Sequence, residues 1–168
     1  MTTSFSDIAV EFERRAASGV WATVASTNVR GQTRVRVLHP AWEHLDSEDG
    51  PVGWVGTRRH GSLSRHLAVS PFVSVAYLET SLSPMRTVQA YADCRAEFVD
   101  DAAQKRRVWD YIASLPEPYG YKPELAWQSV ENPEFGLLRL QPWRIELAAL
   151  DEAAGWAQQV WRAATAEA

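Results

Sequence analysis

Residues 52–79 constrain the fold of this chain more than any other part of its sequence. Residues 52–57 (VGWVGT) have the composition of a buried strand, and a basic, hydroxyl-rich turn follows them at residues 58–62. A short helix is expected to end before Ser70-Pro71, because the residue preceding a proline is disfavoured in helical geometry. A second strand is predicted for residues 72–79. The segment is therefore a strand–turn–helix–strand unit.

The start of this short helix is a candidate anion site. Unpaired N–H groups at a helix N-terminus carry a partial positive charge and attract groups such as phosphate. The alternative interpretation is an ordinary capped helix with solvated arginines, because arginines are common on protein surfaces. The spacing of the residues alone does not separate these two possibilities.

The remaining elements are predicted from hydrophobic periodicity and turn residues. Arg34 and Arg36 share one face of a strand and the intervening valines share the other, because side chains alternate along a strand. Helices are expected near residues 5–17, 100–115 and 124–128, strands at residues 20–27, 32–39, 86–99, 135–140 and 143–147, and a C-terminal tail at about 150–168 with one short strand at 160–162.

Six or seven strands joined mainly by hairpins predict a mainly antiparallel sheet with inserted helices, an α+β class. A closed or partly closed barrel would hide the edges of these strands. The 168 residues are enough for one domain with a substantial core, so we predict a single domain spanning residues 1–168.

Composition excludes several classes of function. A net charge of -4 argues against general nucleic-acid binding, which requires a positive surface. A single cysteine rules out an intrachain disulfide, and no metal-ligand pattern is present. The N-terminal residues lack the features of a signal peptide and no apolar run has membrane-spanning length, so a cytoplasmic location is expected. Eight tryptophans indicate a Trp-rich core, an aromatic-lined pocket or a dimer interface.

Four segments, taken in order, resemble the FMN-binding split-barrel superfamily, the pyridoxamine 5'-phosphate oxidase-like proteins. They are residues 34–38 (RVRVL), 54–57 (WVGT), 65–75 (RHLAVSPFVSV) and 89–97 (QAYADCRAE). The similarity extends from about residue 20 to residue 146. It implies a split β-barrel with a Greek-key-like, mostly antiparallel order of strands. It also implies a homodimer with the cofactor FMN at the subunit interface and hydride transfer to or from a small-molecule substrate.

The resemblance also implies a set of cofactor-binding residues. Arg34 or Arg36 would bind the flavin phosphate, and the two share a face, so either is a candidate. The strand backbone at Val37 and Leu38 would lie along the flavin ring. Thr57, Arg58, Ser62, Arg65 and Gln89 complete the implied set.

Two departures from the family pattern widen the range of functions. Leu63 stands where classic members carry a lysine, and Ala148 stands where the oxidases carry a tryptophan. One alternative is therefore the same fold binding a deazaflavin or heme, and another is a dimeric binding module without catalysis. No catalytic residue is assigned, because a flavin itself carries the hydride and the protein mainly positions it.

Overall fold

The computed structural model describes residues 4–164, which form four α-helices, one 3-10 turn and eight strands. The helical elements are the 3-10 turn Phe5–Asp7, α1 (Ala9–Gly19), α2 (Ser62–Leu67), α3 (Ala102–Ser114) and α4 (Glu124–Trp127). The strands are β1 (Ala22–Thr27), β2 (Thr33–Leu38), β3 (Ala41–Glu43), β4 (Val52–Arg58), β5 (Phe72–Leu82), β6 (Met85–Val99), β7 (Phe135–Asp151) and β8 (Gly155–Arg162).

All strand pairings of the described residues are antiparallel. The strand order is β2-β1-β5-β6-β7-β4-β3, and β8 pairs with the second half of β7. The long strand β7 thus joins two parts of the sheet, pairing with β4 through its first residues and with β8 through its last. Strands β2 and β3 stand at the two ends of this order, so the sheet is not closed. The predicted α+β split barrel is confirmed.

One long strand replaces two of the predicted strands. The sequence places a break at Pro142, but β7 continues across it. Residues Cys94 and Asp93 of β6 pair with Pro142 and Arg144, so the register skips Trp143. This irregularity accommodates a proline, which lacks the N–H that regular pairing requires.

The predicted C-terminal tail is also wrong over most of its length. Strand β8 begins at Gly155 and pairs with β7 along Arg144–Asp151, so it is much longer than the expected short strand. The hairpin turn is stabilised by Asp151, whose carboxylate accepts the N–H groups of Ala153 and Ala154 at 2.9 and 3.1 Å. Gly155 adopts a φ of +74°, which favours glycine. Residues 165–168 of the predicted tail lie outside the described residues.

The main core lies between α1 and the inner face of the sheet. Phe12 and Ala16 of α1 are fully buried there, beside Val75 of β5 and Ala90 of β6. Arg15 fixes the helix to the sheet, because one of its guanidinium nitrogens donates to the backbone carbonyls of Gln89 and Ala148 at 2.6 and 2.8 Å. The described helices include none that is long and apolar enough to cross a bilayer.

Acid should weaken the packing of α1 through Glu11. Hydrogen bonds from Arg14 lower the pKa of this carboxyl to about 2; burial opposes the shift and Arg15 adds to it. A depressed pKa in the folded state stabilises the protein above the unfolded pKa of about 4.3, and that stabilisation is lost as the pH falls through about 2. In urea titrations at a series of pH values, Glu11→Gln should therefore lose stability less steeply than the wild type between these limits.

The matched control is Glu13→Gln, because Glu13 is exposed on the same helix. A wild-type acid dependence in Glu11→Gln, or an equally flattened one in Glu13→Gln, would contradict the assignment.

Candidate functional site

Strand β2 carries its two arginines on the face that turns towards α2. The register pairs Arg36 with Val24 and Arg34 with Ser26 of β1, and Val24 and Ser26 are buried. Val35 and Val37 point the other way and are 57% and 65% exposed. The predicted separation of arginines and valines is present, with the arginines on the inner face.

Arg36 lies at the centre of a group of polar side chains. Its guanidinium donates to the hydroxyl of Ser26 at 2.8 Å and to the hydroxyl of Ser62 at 3.0 Å. The Ser26 hydroxyl also lies 3.0 Å from Nδ1 of His66. Ser26 and His66 are buried, whereas Arg36 and Ser62 are partly accessible. We refer to Ser26, Arg36, Ser62 and His66 as the Arg36 cluster.

The Arg36 cluster carries uncompensated positive charge. Burial lowers the pKa of the Arg36 guanidinium, and repulsion from Arg34 lowers it further. Between residues 4 and 164, neither arginine forms a salt bridge with a carboxylate. A partly buried cation without a counter-ion is costly, and a bound anion would relieve that cost. Guanidinium and hydroxyl groups are suitable phosphate donors.

The candidate anion site consists of side chains and does not depend on the N-terminus of α2. Helix α2 has six residues and ends at Leu67, two residues earlier than the sequence predicts. Its N-cap is Gly61, which provides no side-chain cap. The helix nevertheless brings Ser62 and His66 into the cluster, because residues four apart share a helix face.

The other arginines near the turn differ in their surroundings. Arg59 is paired with the Asp100 carboxylate through contacts of 3.0 and 3.1 Å, so its charge is already compensated. Arg58 and Arg65 are exposed, at the end of β4 and on α2. Thr57 precedes them on β4 and pairs with Gly136 of β7.

Three further candidates lie apart from the cluster. Leu38 is partly buried against the main core, while Val37 is on the exposed outer face. Gln89 lies on β6, three strands away from β2, and its side-chain carbonyl accepts a hydrogen bond from Tyr91 at 2.9 Å. The structure thus brings Arg36 and Ser62 together within one chain and leaves Gln89 on another part of the sheet.

Sequence reasoning placed neither Ser26 nor His66 among the candidate site residues. A signal for Ser26 was available: it follows Ala22 and Val24 at alternate positions of a strand, and this alternation places its hydroxyl on the buried face. A buried hydroxyl requires a hydrogen-bond partner. His66 had no comparable signal, because its contact with Ser26 spans 40 residues.

A surface cleft of about 310 Å³ lies between α2 and β6. Leu67, Pro71 and Phe98 form apolar walls, and Arg59 and Arg95 lie among its lining residues. Arg59 is already paired with Asp100 and lies 4.7 Å from the centre of the Phe98 ring. Glu97 also lines this cleft, so the cleft is less suited to an anion than the Arg36 cluster. In the part of the chain that is described, no group of three or more His, Cys, Asp or Glu residues is placed to hold a metal ion.

Comparisons by sequence find no match: no family profile and no curated protein matches the chain. Comparisons by structure find many proteins with a similar fold. A protein related to general stress protein 26, of the pyridoxinephosphate oxidase family, from Clostridium acetobutylicum has a TM-score of 0.65 and 10% identity, covering 93% of this chain and 94% of its own. A FAD-binding protein from Mesorhizobium loti has a TM-score of 0.60 and 16% identity, covering 84% and 93%.

The heme storage protein HutZ from Vibrio cholerae is also similar, with a TM-score of 0.56 and 21% identity, covering 79% of this chain and 88% of its own. These identities are low, so the likeness concerns the fold. The chain has the split-barrel fold of the pyridoxamine 5'-phosphate oxidase-like proteins.

Proposed function

We propose that this protein binds a phosphate-bearing flavin, FMN, and serves as a flavin-dependent oxidoreductase or flavin-binding protein. The observation that carries the proposal is the state of Arg36. It is partly buried, it has no carboxylate partner among the described residues, and two serine hydroxyls hold its guanidinium in place. A terminal phosphate monoester would provide the missing negative charge.

The cluster fits a phosphate in its chemistry. Arg36 provides charged N–H donors, and Ser62, a partly exposed residue, provides a hydroxyl 3.0 Å from the guanidinium. His66 and Ser26 support this arrangement from within, because their mutual contact fixes the position of the Ser26 oxygen that Arg36 contacts. Arg34 would add long-range attraction for the same anion.

The edge of β2 that faces away from β1 is a suitable place for the ring system of the flavin. Among the described residues β2 pairs with β1 alone, so its other edge presents backbone N–H and C=O groups. We infer that a flavin ring lies along this edge near Val37 and Leu38, beyond the phosphate. A bound flavin would supply hydride-transfer chemistry, and these residues would bind and orient it.

We further infer that two copies of the chain associate through the outer face of the sheet. This face carries large apolar side chains that are more than half exposed: Val35, Val37, Phe72 and Leu78. Exposed apolar side chains grouped on one face are characteristic of interaction surfaces. Gln89 pairs with Leu78 on this face, so association would place the Gln89 of one copy near the partner.

The expected association is tested by charge substitution on the outer face. Light scattering should give the mass of a dimer for the wild type and of a monomer for the double variant Phe72→Arg, Leu78→Arg, because buried unpaired charges at an interface are costly. Val10→Arg is the matched control, since Val10 is 80% exposed on α1. A monomeric wild type, or a dimeric double variant, would remove this part of the proposal.

The function is tested by the absorption spectrum of the purified protein and by titration with FMN. The expected result is a flavin spectrum in the purified protein, or quenching of FMN fluorescence on addition of the apoprotein. Parallel titrations with a deazaflavin and with hemin separate the alternative cofactors. A protein that binds hemin or the deazaflavin but not FMN would exclude FMN as its cofactor.

A further inference from the structure

The imidazole of His39 has an unusual environment. His39 directly follows β2 and is 8% exposed, yet its Nε2 is buried without a hydrogen-bond partner. Buried polar side-chain atoms in native proteins nearly always have a partner, so a buried atom without one calls for an explanation. A ligand that completes the hydrogen bond is one such explanation.

Tyr119 also belongs to the environment of His39, since its ring is 6.4 Å from the imidazole, centre to centre, and its backbone favours the protonated form of the imidazole. Burial lowers the pKa of His39, and this effect is opposed by the Tyr119 backbone. Burial disfavours the charged imidazolium, and a neutral imidazole has one ring nitrogen that accepts; we assign that role to the unpartnered Nε2.

Two aromatic rings lie close to the imidazole of His39. The ring of Tyr121 lies 4.9 Å from the imidazole, centre to centre, and Tyr121 is packed against a core cluster that includes Ile112. The ring of Trp21 lies 5.1 Å away on another side and is 61% exposed. Trp21 follows Val20, which has a φ of +53°, an unusual conformation for a β-branched residue. Tyr121 is therefore the fixed wall, and Trp21 is the wall that a ligand can displace towards solvent.

We propose that His39, Trp21 and Tyr121 form a subsite for a planar aromatic ring that carries an N–H or O–H donor. The donor bonds to Nε2 of His39, and the ring takes a place against Tyr121 beside a displaced Trp21. Stacking between aromatic rings and one buried hydrogen bond are the interactions that the site offers.

The position of this subsite relates it to the Arg36 cluster. His39 lies three residues after Arg36, which corresponds to about 10 Å along an extended strand. Two kinds of ligand carry a ring that suits this subsite. One is the flavin, and this possibility rests on the proposed function. The other is a separate substrate, and this possibility is independent of the proposed function. A metal ion is disfavoured, because His39 belongs to no group of metal-ligating side chains among residues 4–164. Heme iron, which brings its own nitrogen ligands, is tested separately.

The experiment uses riboflavin and phenol as probes, because riboflavin carries a flavin ring without a phosphate and phenol carries one donor on a small ring. His39→Phe keeps an aromatic ring and removes the acceptor, whereas His39→Gln retains an acceptor near the position of Nε2. We expect His39→Phe to weaken binding of at least one probe by about tenfold and His39→Gln to weaken it much less. His60→Phe is the control, since His60 is exposed.

The two sources give different results. Weaker riboflavin binding in His39→Phe identifies the flavin ring, and weaker phenol binding with unchanged riboflavin binding identifies a separate ring. Equal binding of both probes by wild type and His39→Phe, or no binding of either by the wild type, overturns the proposal. A hemin Soret band that His39→Phe abolishes, without any change for the two probes, overturns it in favour of an iron ligand.

Urea unfolding of each variant shows whether it is folded, and His39→Gln provides the readout if His39→Phe is not. FMN binding by the wild type tests the proposed function independently. A protein that binds phenol through His39 but ignores FMN would lose the proposed function and retain this subsite.

Discussion

Arg36→Ala is expected to weaken FMN binding by about ten- to a hundredfold, because a charge-assisted hydrogen bond contributes roughly 1.5–3 kcal/mol. The change removes the guanidinium that the hydroxyls of Ser26 and Ser62 hold at 2.8 and 3.0 Å. It also leaves the buried Ser26 hydroxyl with His66 as its remaining partner in the cluster. Fluorescence quenching of FMN in titrations at constant ionic strength measures the effect.

Arg34→Ala is the matched comparison. It removes the same charge from the same face of β2, two residues away, but the Arg34 side chain is exposed and in our proposal adds only long-range attraction. Its effect should be several-fold smaller and should decrease as salt is added, since exposed charges are screened. An equal or larger loss in Arg34→Ala would move the phosphate away from the Arg36 cluster.

Trp42→Ala is expected to destabilise the protein by about 3–5 kcal/mol, a typical loss when a large buried aromatic side chain is deleted. Trp42 is 1% exposed, and its ring lies edge-on to Phe12 at 5.1 Å. Its indole N–H donates to the hydroxyl of Tyr77 at 3.0 Å, so the change also leaves a buried hydroxyl with one partner fewer. Urea unfolding gives the free energy, with the slope used to check two-state behaviour.

Trp156→Ala is the control for this substitution. Trp156 is 56% exposed on β8, so the same change should cost much less there. Similar losses at the two positions would show that Trp42 does not have the central place in the core that its burial indicates.

The sequence was sufficient for the strands that alternate clearly. Val35 and Val37 against Arg34 and Arg36 gave the two faces of β2, and the structure has both. Alternation does not say which arginine is central. That choice depends on Ser26 and Ser62, which lie on a neighbouring strand and on α2 and reach Arg36 only through tertiary packing.

The wrong predictions also concern features that depend on contacts between distant parts of the chain. Pro142 has the sequence signature of a strand end, and only the skipped residue in its pairing with β6 allows the strand to continue. Seven of the eight residues of β8 are exposed or partly exposed and only Trp161 is buried, so this segment has no alternation of buried and exposed positions that would indicate a longer strand. The environment of His39 depends on Tyr119 and Tyr121, which lie in a proline-containing segment without regular periodicity.

Tryptophan content illustrates how composition gives alternatives without choosing between them. Trp42, Trp54, Trp109 and Trp161 are buried, so the Trp-rich core is real. Trp21 is 61% exposed, and its ring lies 5.1 Å from that of His39, in the subsite proposed above. Composition alone has no means of dividing eight tryptophans between these roles.

The central claim is that the Arg36 cluster binds the phosphate of a flavin. The most direct test compares the affinities of the wild-type protein for FMN and for riboflavin, which differ only in that phosphate. We expect FMN to bind at least about tenfold more tightly, and we expect this preference to be largely lost in Arg36→Ala. Equal affinity of the wild type for the two flavins, or an undiminished preference for FMN in Arg36→Ala, would contradict the claim.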